Sequence, residues 1–242
     1  MFNPTSALPT EFDLPDSDNK PVDNELQILI PTLLRAILSL AWQDRNDWFI
    51  GINLGLYHTP HQPAIGPDAF LSLGVPKFRA NGQLRLSYVV WTENHVMPQW
   101  VLEIVSKQAG GEYDEKFHIY EEIGVLYYVI YNPDHWKRDR HDSFEVYRLV
   151  DGQYQRQQGN PVWMPEIGLG IGVALGVHEG GAPRNWLYWY DEQAQQLPIP
   201  ENMIAQERQR AEQERQRAEQ AERQFQDLLA RLQERGIDPD NL

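Results

Sequence analysis

Three ionisable residues stand where the pattern around them leaves little room for charge. Glu103 lies in "WVLEIVS" (100–106), and on a strand its face is shared with Val101 and Val105. A carboxylate among valines must be paired, protonated or metal-bound, because isolated burial of charge is prohibitive. The alternative is an edge strand with Glu103 half in water. Lys116 lies in "EYDEKFHIYEEIG" (112–124). With Tyr113 at zero on a helical wheel, Phe117 falls at about +40°, Tyr120 at about −20° and Ile123 at about −80°, and Lys116 falls inside that apolar stripe at about −60°. Asp114, Glu115, His118, Glu121 and Glu122 already fill the polar side. Lys116 therefore either snorkels along Tyr113 or Tyr120 or reaches a counter-charge, with Glu103 and Asp68 as candidates. Asp68 opens "DAFLSLG" directly after Gly66-Pro67 and reads either as a turn aspartate or as the third member of the set.

Two carboxylates and a lysine form a coherent chemical set. Asp and Glu oxygens hold Mg²⁺, an ion that keeps several waters and binds phosphate oxygens. The ion polarises a phosphoryl group and acidifies a bound water, and a nearby ammonium orients that water or stabilises developing negative charge. Lys107, just past the strand end, is either an ordinary exposed lysine or a phosphate contact, and Tyr120, one turn after Lys116, either packs or joins the set. Other patterns carry less. His58 and His61 form H-x-x-H with no third ligand in view. The glycines from Gly168 to Gly176 match neither a phosphate loop nor a dinucleotide fingerprint. No nucleophile elbow or Ser-His-Asp pattern is visible.

These residues need elements to position them. After a flexible N-terminal arm (1–22), Asp23 is a candidate cap for a helix over "NELQILIPTLLRAILSLAW", kinked or split by Pro31. Strands are expected over Trp48–Tyr57 and "DAFLSLG", with Ser87–Trp91 as a further pairing segment. A βαβ unit follows: strand 100–106, helix 112–123 and strand 125–131, whose two strands should be parallel. Asp151-Gly152 marks a hairpin between "SFEVYRLV" and "QYQRQQ". "GLGIGVALG" reads as an irregular strand and "NWLYWYDEQAQQLP" as a last strand and turn. The mixed order predicts an α/β fold with a mixed central sheet flanked by helices (23–200).

Beyond Pro200 the composition changes. "QERQRAE" at 206–212 recurs unchanged at 213–219. Taking Ile204, Ala211, Ala218, Phe225 and Leu232 as a positions puts Ala221 and Leu228 at d, but also Glu207 and Glu214. A long C-terminal helix (201–235) is expected, either a solvated single helix or a self-association or partner helix that is coiled-coil-like in its second half, with Gly236 and Pro239 ending it before a short tail (236–242).

Composition bounds the partners. The 242 residues include no Cys, which removes disulfides and thiolate metal sites. With 41% apolar residues, 8 Trp and 11 Tyr, a sizeable core is available. The longest apolar stretch, Ile28 to Leu40, is broken by Pro31, Thr32 and Arg35, and the Pro-rich acidic N-terminus lacks signal-peptide features. A cytoplasmic protein without membrane insertion is the expectation. The net charge of −14 makes a poor non-specific binder of duplex nucleic acid.

"GPD" (66–68), "LEIVSK" (102–107), "GGEYDEKFHIYEEIGVLYYVIYNP" (110–133) and "LYWYD" (187–191) resemble a large bacterial family of restriction endonuclease-like proteins, placed in the PD-(D/E)XK nuclease superfamily. The resemblance runs from about residue 23 to 192. It implies a restriction endonuclease-like fold, with Pro67-Asp68 matching the PD and Glu103 the second acidic residue. The superfamily lysine is expected two residues after Glu103, where Val105 stands. Members of the family carry it on the following helix, and Lys116 is the match. The resemblance further implies the Ile104 carbonyl as a third metal ligand and a first-helix glutamate, for which Glu25 is nearest. Together these predict a Mg²⁺-dependent (Mn²⁺-tolerant) DNA endonuclease, with Asp68, Glu103 and Lys116 catalytic and a homodimer assisted by the C-terminal helix. The rival is a non-catalytic interaction protein on the same scaffold, which the net acidity and displaced lysine favour.

Overall fold

The computed structural model describes residues 8–15, 24–79, 82–108, 110–178 and 180–234. The chain divides into two units, 1–197 and 198–242. In the first, α1 (Leu26–Ala41) is followed by β1 (Trp48–Ile52), β2 (Leu56–Tyr57), β3 (Ala69–Leu73) and β4 (Tyr88–Val89). Then come β5 (Trp100–Ile104), α2 (Glu115–Glu122), β6 (Tyr127–Tyr131) and the one-turn α3 (Trp136–Asp139). The run closes with β7 (Phe144–Val150), β8 (Gln153–Gln157), β9 (Val162–Met164), β10 (Leu169–Gly176) and β11 (Arg184–Tyr190). The second unit is α4 (Pro200–Glu234).

A six-stranded sheet in the order β1-β3-β5-β6-β7-β8 carries the fold. Only β5 and β6 run parallel within it, with α2 as their crossover, so the predicted βαβ unit is present and the sheet is mixed. The β7–β8 hairpin turns at Asp151-Gly152 as expected, both residues at positive φ. β9, β10 and β11 form a separate antiparallel sheet, and β2 and β4 a parallel pair. The strand expected over Trp48–Tyr57 is thus two, broken at Asn53, which takes a left-handed φ of 47°.

Both faces of the central sheet are covered, which explains why β5 and β6 are buried at every position. One face packs Phe70, Val101, Tyr128 and Ile130 with Tyr120 and Phe117 of α2. On the other side, Trp100 meets Trp189 of β11 with ring centroids 5.0 Å apart, and Trp189 Nε1 donates to the Leu34 carbonyl of α1. α1 remains one helix through Pro31, because Ile30, Leu34, Ile37 and Leu38 are buried and hold it. Asp23, the expected cap, lies outside the described residues; Asn24 Oδ1 accepts from Leu26 N at 2.9 Å.

Part of the expected N-terminal arm is seated. Residues 8–15 dock on the first unit through Trp91 Nε1 to the Pro9 carbonyl, Tyr57 Oη to the Pro15 carbonyl, and a buried Glu11 paired with Arg79. Residues 1–7 and 16–22 of that arm, and the tail from 236, lie outside the described residues. α4 is a single helix with Met203, Ile204, Phe225 and Leu228 exposed to solvent. Among the described residues no helix is long and apolar enough to cross a membrane.

Candidate active site

Antiparallel pairing sets Ala69 of β3 opposite Leu102 of β5. One step further along the same register puts Asp68 opposite Glu103, on one face of the sheet. Like charges directly opposite are unfavourable in an antiparallel pair, so this register holds two carboxylates together against their repulsion. Glu103 is 1% exposed and Asp68 7%. The half-exposed edge position that Glu103 could have occupied is therefore excluded: β5 is a central strand.

Lys116 arrives from α2. Gly111 has φ +82°, a conformation that favours glycine, and its carbonyl accepts from Lys116 N at 2.9 Å at the start of the helix. A Cβ on Gly110 would lie 2.7 Å from Glu112 Oε1, so a side chain there would displace the carboxylate that accepts Gly110 N at 2.9 Å. From this turn Lys116 Nζ reaches Glu103 Oε2 at 2.7 Å, and Tyr120 Oη donates to Glu103 Oε1 at 2.7 Å. Of the two counter-charges open to Lys116, Glu103 is the one it bonds.

Asp68 is held differently. Its Oδ2 accepts from the Ile104 backbone N–H at 2.6 Å and more weakly from Gln27 Nε2 at 3.5 Å. Gln27 Nε2 also donates to the Ile104 carbonyl at 3.2 Å. The first-helix residue in the site is thus buried Gln27, not Glu25. Glu25 sits at the N-terminal cap of α1 and is exposed, while Gln27, two residues on, lies on the buried side of the helix. Lys107 is also exposed on the loop after β5, its backbone carbonyl held by Arg138.

The electrostatics follow from this packing. Burial, reinforced by Glu103, pushes the Asp68 carboxyl well above the usual range, against the Ile104 hydrogen bond and Lys116. Burial also raises Glu103, although Lys116 and Tyr120 pull it back. For Lys116 burial acts downward, and the Glu103 carboxylate more than offsets it, so the ammonium stays above its ordinary value. Glu112, a third buried carboxylate, adds negative potential at all three groups. Sequence reasoning took it only as the first residue of the expected helix.

This donor set fits Mg²⁺. Mg²⁺ is commonly bound by one or two carboxylates while keeping waters and taking substrate phosphates, rather than by an all-protein cage. Two buried carboxylates, the Ile104 carbonyl and a single lysine leave negative charge that a hard divalent cation would offset. Among the described residues no group of three or more His, Asp or Glu gathers as a cage, His58 and His61 included.

The family model Uma2, described as "Putative restriction endonuclease", matches residues 18–178, about two-thirds of the chain, and the chain belongs to that family. No curated protein matches it.

Proposed function

We propose that this member of the Uma2 family is a Mg²⁺-dependent nuclease that hydrolyses DNA phosphodiester bonds at the Asp68–Glu103–Lys116 site. The observation that supports it is the pair of buried carboxylates set opposite each other on β3 and β5, with Lys116 Nζ 2.7 Å from Glu103. Asp68, Glu103 and the Ile104 carbonyl would hold the ion. When bound, Mg²⁺ supplies Lewis-acid polarisation of the phosphoryl oxygen and acidifies a coordinated water.

The chain's own groups do the positioning. The Ile104 N–H and Gln27 amide fix Asp68, and Tyr120 fixes Glu103. Lys116, 24% exposed, is the cationic group of the set that also reaches solvent. Its ammonium is placed to stabilise negative charge as it develops on a phosphate entering from that side. The displaced lysine is chemically equivalent here, because the space its ammonium occupies matters and not the strand it leaves.

The test is cleavage of supercoiled plasmid and linear duplex with Mg²⁺ or Mn²⁺, against EDTA. Wild-type protein should nick or cut, and Asp68→Asn and Glu103→Gln should each lose activity by about 10³-fold, roughly 4 kcal/mol of transition-state stabilisation. Cleavage that survives undiminished in the double variant sinks the assignment. Self-association belongs to the same proposal: the exposed Ile204, Phe225 and Leu228 of α4 give it an unpartnered seam. A number of chains per particle, from solution mass, that is unchanged by deleting 201–242 counts against it.

A further inference from the structure

A second charged site lies at the free edge of the central sheet. β1 ends the strand order, and around it gather Arg35 of α1 and Lys77, Arg79 and Arg85 of the segment after β3. Two of these four cations are compensated. Arg85 forms a two-point pair with Glu93 at 2.7 and 3.0 Å, and Arg79 pairs with Glu11. The other two are not: among the described residues neither Arg35 nor Lys77 has a carboxylate within ion-pair distance. Four cations against two carboxylates leave a local excess of positive charge on a chain whose net charge is −14.

The site is built and not merely a loop with basic residues. Arg85 donates to the Pro76 carbonyl at 2.8 Å and the Lys77 carbonyl at 3.4 Å, and Lys77 N donates to the Asn46 carbonyl at 2.8 Å. Lys77 Nζ is held 4.4 Å from the centre of the Trp48 ring and 5.8 Å from that of Phe78. Burial, and after it the charge of neighbouring Arg35, lower the Lys77 ammonium. Beside them the Phe78 ring is 63% exposed.

We propose that Arg35 and Lys77 bind a backbone phosphate of the nucleic-acid strand being cut, with Phe78 as the adjacent surface for its sugar or base. Paired cations beside an exposed aromatic ring are the chemistry that holds a nucleic-acid strand. The pocket lies at the free edge of the sheet, beside β1. It also gives an acidic protein a local means of holding a polyanion. The inference rests on the preceding reading for the identity of the strand.

The test uses full-length protein in EDTA, so that binding is read without cleavage, with fluorescence anisotropy of a labelled duplex and its single strand over a salt series. Arg35→Gln/Lys77→Met keeps the lysine stem over Trp48 and should leave the melting temperature near wild type. It should weaken binding about tenfold or more and flatten the log Kd against log salt slope by about 1. The single variant Lys77→Arg, which keeps the charge, should bind as wild type. Equal affinity and slope for wild type and the double variant overturn the site, and continued Mg²⁺-dependent cleavage then leaves the nuclease reading standing. Oligonucleotide binding through Arg35 and Lys77 by a protein that cuts nothing supports the site and overturns that reading instead. Binding of inorganic phosphate with none of either oligonucleotide overturns the strand as ligand.

Discussion

Two glutamates occupy one row of the central sheet. Glu103 on β5 pairs with Ile130 on β6, and Ile130 pairs with Glu145 on β7. Glu145, at 2% exposed, is as deeply buried as Glu103, yet the two have different surroundings. Glu145 is saturated: Oε1 accepts from Asp142 N at 2.9 Å and lies 3.3 Å from His141 Nδ1 and 3.5 Å from Arg156, and Oε2 accepts from Tyr147 Oη at 2.5 Å. Glu103 has one donor per oxygen, and the strand on its other side brings a second carboxylate. Burial of a carboxylate does not by itself mark a site. A buried carboxylate whose neighbour is another one does, because such a pair repays its cost only when something positive joins it.

The largest test of this contrast is catalytic. Glu103→Gln should cut DNA cleavage about 10³-fold, and Glu145→Gln, equally buried and equally isosteric, should stay within about threefold of wild type. Plasmid nicking rates with Mg²⁺ measure both, and comparable losses in the two variants would erase the distinction. Stability should divide along other lines. Lys116→Met leaves Glu103 buried without its cation and should cost about 3 kcal/mol in urea unfolding. His141→Ala should cost less than about 1 kcal/mol, since Glu145 keeps the Asp142 amide, Tyr147 and Arg156.

Asp68→Asn should move in the opposite sense. The amide oxygen still accepts the Ile104 N–H, while the buried charge and its repulsion with Glu103 are gone, so without divalent metal the variant should gain about 1–2 kcal/mol as it loses activity. The pH dependence follows from the raised carboxyls. A folded-state value above the unfolded one means that the native protein holds more protons than the unfolded chain as pH climbs past the ordinary carboxylate range. Stability is therefore lost with rising pH across that window. In EDTA, the melting temperature of wild type minus that of Asp68→Asn should become more negative between pH 5 and pH 8. Mg²⁺ should restore wild type more at pH 8 than at pH 5, where protons compete for the same oxygens. A difference flat in pH breaks the argument.

Much of this was legible before any coordinates. The alternation around Glu103 and the helical angle of Lys116 each flagged a misplaced charge, and both anomalies resolve into one 2.7 Å contact. The βαβ unit and the Asp-Gly hairpin were readable because their signals are local. What stayed hidden depends on contacts distant in sequence. Gln27 is 41 residues from Asp68 and 77 from Ile104, and an amide carries no anomaly of charge to draw attention on α1. Glu145 went unremarked because "SFEVYRLV" reads as an ordinary alternating strand, and its row-mate is set by a register that crosses β6. Glu11 and the seated segment 8–15 were invisible for the same reason: a Pro-rich acidic stretch has no periodicity from which docking could be read.

The smallest effect separates positioning from packing at Tyr120. Its ring lies against Tyr128, centroids 5.1 Å apart, and Tyr120→Phe keeps that contact while removing the hydroxyl that donates to Glu103 Oε1. The lost bond to a charged acceptor should cost only about 1 kcal/mol, because Glu103, already raised by burial, can answer by holding a proton more tightly. That response is itself the measurement. Losing the donor raises Glu103 further, so the acidic limb of the cleavage–pH profile should move to higher pH in Tyr120→Phe while the rate on the alkaline plateau stays within a few fold. A side chain that merely fills space would lower the plateau or leave the profile unmoved. An acidic limb at the wild-type position would therefore reduce Tyr120 to a core residue, and make Lys116 the only group on α2 that tunes the carboxylate.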